Sequence, residues 1–171
     1  IEADYTYDGP TASVNTVEKL LNIPINHYVV FNFLSFIKLI DAVGGIDVNV
    51  KQAFDGVTKD GPGSIHFDAG KQHLDGTKAL SYARERHSDN DIMRGFRQQE
   101  IIQAVEDKLK SGQSIMKIMD IIDSLNGNIQ TDVDSNELTH LVKEGLTWTN
   151  YDKQQLSFDW RTFSNEGRSM V

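Results

Sequence analysis

An α/β fold, with a sheet covered by helices, is what this chain predicts. Segments with a 3.6-residue apolar period interleave through the first half with short runs rich in β-branched and aromatic residues, the pattern of layered helix and sheet. The 171 residues suit a single domain, 1–171, large enough to bury a real core. No apolar run approaches the length of a membrane span, and neither a repeat nor a low-complexity tract interrupts the pattern.

Residues 1–10 are polar, with Tyr5, Tyr7 and a Gly9-Pro10 punctuation, and read as a loop or strand end. Thr11-Ala12-Ser13 starts a helix whose apolar stripe is Val14, Val17, Leu20 and Leu21, with Pro24 beyond its end. Tyr28-Val29-Val30-Phe31 is a short strand. Phe33, Phe36, Ile37, Ile40 and Val43 face one way along a helix over 33–43 that Gly44-Gly45 stops. Ile46-Asp47-Val48-Asn49-Val50 alternates as a half-buried strand does. From Lys51 to Gly63 glycine, proline and charge dominate, which predicts a surface loop; its Asp55-to-Gly61 run lacks the ligand spacing of an EF-hand. Ile65-His66-Phe67 is a brief strand. Leu74, Ala79, Leu80 and Ala83 then recur at helical spacing, predicting a short helix started by Asp75-Gly76-Thr77 and ending near Arg84. After a polar break at Ser88-Asp89-Asn90, a longer helix starts around Asp91. Beyond Gly112, Ile115, Ile118, Met119, Ile122 and Leu125 predict another helix. Asp134-Ser135-Asn136-Glu137 starts one carrying Leu138, Leu141, Val142 and Leu146, and 155–163 reads as a closing strand.

The chemistry concentrates between Gly70 and Gln99, where Arg84, Arg86, Arg94 and Arg97 gather in a chain of net charge −8. On the helix that starts around Asp91, Ile101, Ile102, Val105 and Leu109 make one apolar face. Extended backwards, that face carries Asp91, Arg94 and Gln98 within roughly 60° of its centre. Charged groups carried inwards must be paired or must line a pocket, because an uncompensated buried charge costs several kcal/mol. One reading is an Asp91–Arg94 ion pair with Gln98 satisfying a loop carbonyl. The other is a pocket for an anion, which Arg84 and Arg86 just upstream favour. Guanidinium forks match phosphate oxygens bidentately, and several together hold a pyrophosphate and stabilise charge that grows as it cleaves. Asp89 or Asp91 would hold an arginine in place or help coordinate magnesium.

Other chemistries lack their signatures. The acidic balance opposes wholesale nucleic-acid binding. The chain has no cysteine, so disulfides and thiolate metal sites are excluded. The five histidines are scattered, without an HxH or HExxH pair, and no metal ligand is assigned. GxSxG, GxxxxGK[ST] and GxGxxG are all absent.

Three ordered stretches, 41–48 (Asp-Ala-Val-Gly-Gly-Ile-Asp-Val), 70–86 (Gly-Lys-Gln-His-Leu-Asp-Gly-Thr-Lys-Ala-Leu-Ser-Tyr-Ala-Arg-Glu-Arg) and 91–99 (Asp-Ile-Met-Arg-Gly-Phe-Arg-Gln-Gln), closely resemble the LytR–CpsA–Psr family. The resemblance is clear from about Ile1 to about Leu109 and looser to the end. It implies a mixed central sheet sandwiched between helices, of which this chain is the carboxy-terminal portion. The amino-terminal part would supply a strand, a D-S-R type motif and the further Asp and Arg residues that complete a magnesium and phosphate site. The implied activity is a phosphotransferase of Gram-positive bacteria, extracytoplasmic and held to the membrane by an anchor outside this chain. It would move a glycopolymer, a teichoic acid or capsular polysaccharide, from a polyprenyl pyrophosphate carrier onto a peptidoglycan hydroxyl, with magnesium on the pyrophosphate. By match to the motif, Arg84, Arg86, Arg94 and Gln98 would contact the pyrophosphate and Asp91 would support them. Arg97 joins the substrate-binding set, although it sits beside Gly95-Phe96 where the family is more often polar.

A polyprenyl tail would need an apolar groove beside the arginines, with walls from Phe33, Phe36 and Ile37 and from Ile101, Ile102 and Val105. Two rivals remain: a transcriptional regulator, opposed by the net charge and by the lack of a basic helix-turn-helix, and a non-catalytic lipid- or wall-binding module.

Overall fold

The computed structural model describes residues 2–58, 61–85, 91–110, 129–134, 136, 137, 140, 144, 163–165 and 168–170. They form helices α1 (Glu2–Leu21), α2 (Phe33–Ala42), α3 (Gly76–Arg84) and α4 (Asp91–Lys110). The strands are β1 (Val29–Phe31), β2 (Ile46–Val50), β3 (Phe54–Thr58), β4 (Gly61–Phe67), β5 (Gly70–Leu74), β6 (Ile129–Thr131), β7 (Phe163–Asn165) and β8 (Arg168–Met170). The architecture is α/β as expected. Among the described residues the strands join in four antiparallel pairs, β1–β6, β2–β5, β3–β4 and β7–β8, rather than in one continuous ladder.

The core sits where β2, α3 and α4 meet. β2 turns Ile46, Val48 and Val50 inwards and Asp47 and Asn49 outwards, so its two-residue period is the burial pattern itself. Leu74 on β5 lies opposite Ile46, and both are fully buried. Ile40 and Val43 arrive from α2 and its end, Ala79 and Tyr82 from α3, and Ile101 and Ala104 from α4. Gly44 and Gly45 make the sharp turn from α2 into β2 with φ of 81° and 78°, a backbone conformation that other residues adopt only with strain.

Two expectations for this region are corrected. The surface loop read over Lys51–Gly63 is largely the β3–β4 hairpin. It is held by Phe54 stacked on Phe67 at 4.8 Å, with Tyr82 of α3 at 5.8 and 5.7 Å from the two rings. Phe67 is fully buried, and a burial of that kind is worth about 3–5 kcal/mol against alanine. It outweighs the local preference of a glycine-rich run. Leu74, counted with the helix of Asp75, closes a strand instead and reaches the core from β5.

A third correction concerns residues 1–10. Helical backbone starts at Glu2 and breaks at Asp8 and Gly9, the latter at φ 64°, before Pro10 starts the longer part of α1. The Gly-Pro pair thus ends one helical piece and opens the next. Leu20 and Leu21 of the expected stripe are exposed.

β6, which the sequence alone did not suggest, is tied to β1 by side chains at the joint. Tyr28 N donates to Asp132 Oδ1 at 2.9 Å, and Thr131 Oγ1 donates to the Tyr28 carbonyl at 2.8 Å. Asp134 Oδ1 accepts from the backbone N of Asn136 and Glu137, at 2.8 and 2.9 Å, where helical backbone resumes as expected. The helix expected over 115–125 and most of the closing strand over 155–163 lie outside the described residues.

Candidate functional site

The site is built where α3 ends and α4 begins, and the sequence fixes the start of α3 firmly. Asp75 caps it by accepting from Lys78 N at 2.8 Å, and the Gly76 N–H donates to Asp41 Oδ1 of α2 at 2.7 Å. α2 has its own cap in Asn32, whose Oδ1 accepts from Ser35 N at 2.8 Å. Such caps satisfy N–H groups that a helix cannot satisfy internally. They also fix which residue opens α2: it is Phe33, with a ring 48 % exposed.

Arg84, the last residue of α3, lays its guanidinium over that ring, 4.6 Å from the centroid. Its Nη1 donates a long bond of 3.4 Å to the Thr58 carbonyl at the end of β3. Arg84 is therefore half-buried, held flat between the start of α2 and the hairpin, and among the described residues only Nη1 of its donor fork is engaged. A cation in the last turn also suits the negative end of the helix dipole.

Arg94 stands in the first turn of α4, half-buried and engaged in contacts of its own. The first N–H groups of such a helix have no intrahelical acceptor, so Arg94 adds a cation where the backbone already favours an anion. Gln98, one turn on, is exposed and donates from Nε2 to the Ala83 carbonyl at 3.4 Å. Gln98 thus reaches the end of α3, where Arg84 lies, while Arg86 and the Asp91 side chain lie outside the described residues.

Arg97 sits differently from the other arginines. It is 6 % exposed, and its Nη2 donates to the Glu85 carbonyl at 2.6 Å. Its guanidinium lies 5.6 Å from the Phe54 ring and 6.0 Å from that of Tyr82. The buried stripe of α4 accordingly runs through Arg97, Ile101 and Ala104, and Ile102, expected inside, is 68 % exposed. The face is rotated by about one residue from the one that Ile101, Ile102 and Val105 suggest, because the aromatic group of the hairpin attracts position 97. Glu85, absent from the sequence-based set, is fully buried. The only sequence signal that could have found it is its place between Arg84 and Arg86 at the end of α3.

An open groove of about 1090 Å³ runs along α4, bordered among others by Phe54, Tyr82, Phe96, Arg97, Glu100 and Gln103. Of the six apolar residues expected to wall a lipid groove, only Ile102 borders it. Ile101 belongs to the core, and Phe36 and Val105 pack against it.

The electrostatics around the site are structural ties. Asp47 accepts from Lys108 Nζ at 2.8 Å and pairs with His73 Nδ1 at 2.8 Å. The hydrogen bond from Lys108, then that from His73, holds its carboxyl below the usual carboxylate range. His66 Nδ1 is 2.8 Å from Asp55 Oδ1 across the hairpin, and this bond raises the imidazole above its ordinary value. Among the described residues no three carboxylates or histidines converge as a metal site.

The α/β domain brings Arg84 at the end of α3 and Arg94 in the first turn of α4 to one helix–helix junction. The chain belongs to the LytR_cpsA_psr family, which it matches over residues 1–169. It is 41 % identical over 136 residues to a polyisoprenyl-teichoic acid–peptidoglycan teichoic acid transferase TagU of Oceanobacillus iheyensis, covering 78 % of this chain and 41 % of the relative. The crystal structure of Bacillus subtilis TagV superposes with a TM-score of 0.79 at 32 % identity, covering 98 % of this chain and 65 % of that one. TagT bound to LIIa-WTA superposes with a TM-score of 0.78 at 28 % identity, over 97 % of this chain and 62 % of that one. The chain spans about half the length of the curated relatives it matches.

Proposed function

We propose that this chain is the arginine-bearing portion of a cell-wall glycopolymer phosphotransferase. Its substrate would be a teichoic acid or capsular polysaccharide on a polyprenyl pyrophosphate carrier, and its acceptor a hydroxyl of peptidoglycan. The observation that carries the reading is the half-buried Arg84, held over Phe33 and against the Thr58 carbonyl. The presentation of Arg94 on the first turn of the next helix adds to it. Relatives named as teichoic acid transferases support the substrate class, and a related structure holds LIIa-WTA.

In the reaction an acceptor hydroxyl attacks the sugar-bearing phosphorus of the pyrophosphate. A new P–O bond forms, the bridging P–O bond breaks, the hydroxyl proton passes to water and polyprenyl phosphate leaves. Arg84 and Arg94, with Arg86, would hold the diphosphate oxygens and stabilise the charge that grows on the departing phosphate. Gln98 would complete the contacts, and Asp91 would orient an arginine. Magnesium, held mostly by residues of the amino-terminal part, would supply further charge neutralisation at the pyrophosphate. The place of work would be the outer face of the membrane of a Gram-positive cell, reached through an anchor outside this chain.

The test is binding of a polyprenyl pyrophosphate analogue, with magnesium, to the protein carrying Arg94→Lys or Arg84→Lys, with thermal melts alongside. An ammonium cannot reproduce the planar fork. Each variant should fold normally and lose about tenfold to a hundredfold in affinity, from about 1.5–3 kcal/mol per charge-assisted bond. Unchanged binding by well-folded variants would return both arginines to the scaffold.

A further inference from the structure

We infer that Arg97 is a positioning residue for Arg84: it holds the end of α3 and does not contact the substrate. The inference rests on the phosphotransferase reading for its consequence, though not for its geometry. α3 ends at Arg84, and Glu85 follows with extended backbone at φ −60° and ψ 131°. The last carbonyls of a helix have no intrahelical donor. Here the carbonyls on both sides of Arg84 are bonded from α4, that of Ala83 by Gln98 at 3.4 Å and that of Glu85 by Arg97 at 2.6 Å. The short, buried bond is the Arg97 one, and the backbone that aims Arg84 is thereby set by a residue on another helix.

Arg97 is itself fixed. Its guanidinium lies against Phe54 and Tyr82, two members of the aromatic group that ties the hairpin to α3. The Tyr82 hydroxyl donates to Glu100 Oε2 at 2.8 Å, and Glu100 Oε1 accepts from Asn49 N of β2 at 2.8 Å. α4 is thus pinned to β2 one turn beyond Arg97, and the pinned helix carries the donor to Glu85. With 6 % of its surface exposed, Arg97 has little left to offer a ligand. Lysine does not substitute here: a planar guanidinium stacks on rings while donating in its own plane, and an ammonium does not.

The experiment follows the Arg84 side chain directly. Its Nε–Hε resonance should be shifted by the ring current of Phe33, which lies 4.6 Å below the guanidinium. In the full chain carrying Arg97→Lys, with a melt that confirms folding, this resonance should move towards the value of a free arginine. If Arg97→Lys does not fold, Phe54→Leu removes one of the two rings under Arg97 and should move the signal in the same direction. Binding of geranylgeranyl pyrophosphate should weaken by about tenfold in Arg97→Lys. The Arg84→Lys/Arg97→Lys double variant should bind no worse than Arg84→Lys, because Arg97 acts through Arg84. An unmoved Arg84 resonance in a folded variant, or losses that add in the double variant, would overturn the inference. Failure of the wild-type protein to bind the pyrophosphate would count against the phosphotransferase reading alone, because the resonance decides the positioning without any ligand.

Discussion

Replacing Gly76 by alanine sets two physical effects against each other, and the structure says which wins. On propensity alone the change should help, since alanine is favoured over glycine in helices by about 0.8–1 kcal/mol. Gly76 opens α3 against the side of α2, however, and a Cβ there would stand 2.2 Å from the Ile37 carbonyl oxygen and 2.7 Å from its C and Cα. The first distance is about 1.2 Å short of the 3.4 Å at which ordinary contact begins. The obstacle is helix backbone, which cannot rotate aside as a side chain can. Overpacking of this kind costs about 1–3 kcal/mol. Separating the helices would also stretch the bond from Gly76 N to Asp41, a further 1.5–3 kcal/mol or so if it were lost outright. The expected net is a destabilisation, of up to about 2 kcal/mol from packing alone and about 1.5–5 kcal/mol with the bond lost as well, read by urea denaturation with an unchanged m-value. Gly95 is the internal control: it lies within α4 with nothing within 4 Å of its would-be Cβ, so Gly95→Ala should stabilise by about 0.5–1 kcal/mol. A Gly76→Ala protein as stable as wild type, or both variants shifting in the same direction, would refute the reasoning. Phe33 begins the helix that would be displaced, so the Arg84 stack should loosen in the same variant.

Two further outcomes concern pH. Asp47 has a folded-state pKa below the ordinary aspartate value of 3.8; its contribution is therefore present above that value and lost as pH falls through the lower, folded one. Asp47→Asn should be less stable than wild type at neutral pH, and the gap should close during acid titration followed by circular dichroism; a gap independent of pH would show that the Lys108 and His73 bonds are not the cause. His66 has the opposite sign: its pKa is raised above 6.5 by Asp55, so its contribution is complete below that value and fades as pH rises through the folded one. An NMR titration should place the His66 midpoint above 6.5, and Asp55→Asn should bring it back down; an unchanged midpoint in that variant would remove Asp55 as the cause.

Some of this was determined by the sequence alone, because it is local. The alternation Ile46-Asp47-Val48-Asn49-Val50, the Gly44-Gly45 turn and the Asp75-Gly76-Thr77 helix start each work through residues within a turn of one another. They read correctly for that reason. The ordered motifs around Arg84 and Arg94 carried the family for a similar reason: each is a short run of residues close in the chain. The tertiary structure decided what depends on partners far away. The glycine-rich run from Lys51 to Gly63 looks like a loop until Phe54, Phe67 and Tyr82 meet and make a hairpin of it. β6 exists because Tyr28 and Asp132 join across a hundred residues of chain. The facing of α4 shows the difference most plainly. Its apolar residues point to a stripe through Ile101 and Ile102, yet the buried stripe runs through Arg97 and Ile101. A guanidinium gains more from the Glu85 carbonyl and two aromatic rings than it loses by leaving water, and that comparison involves groups that sequence periodicity does not weigh.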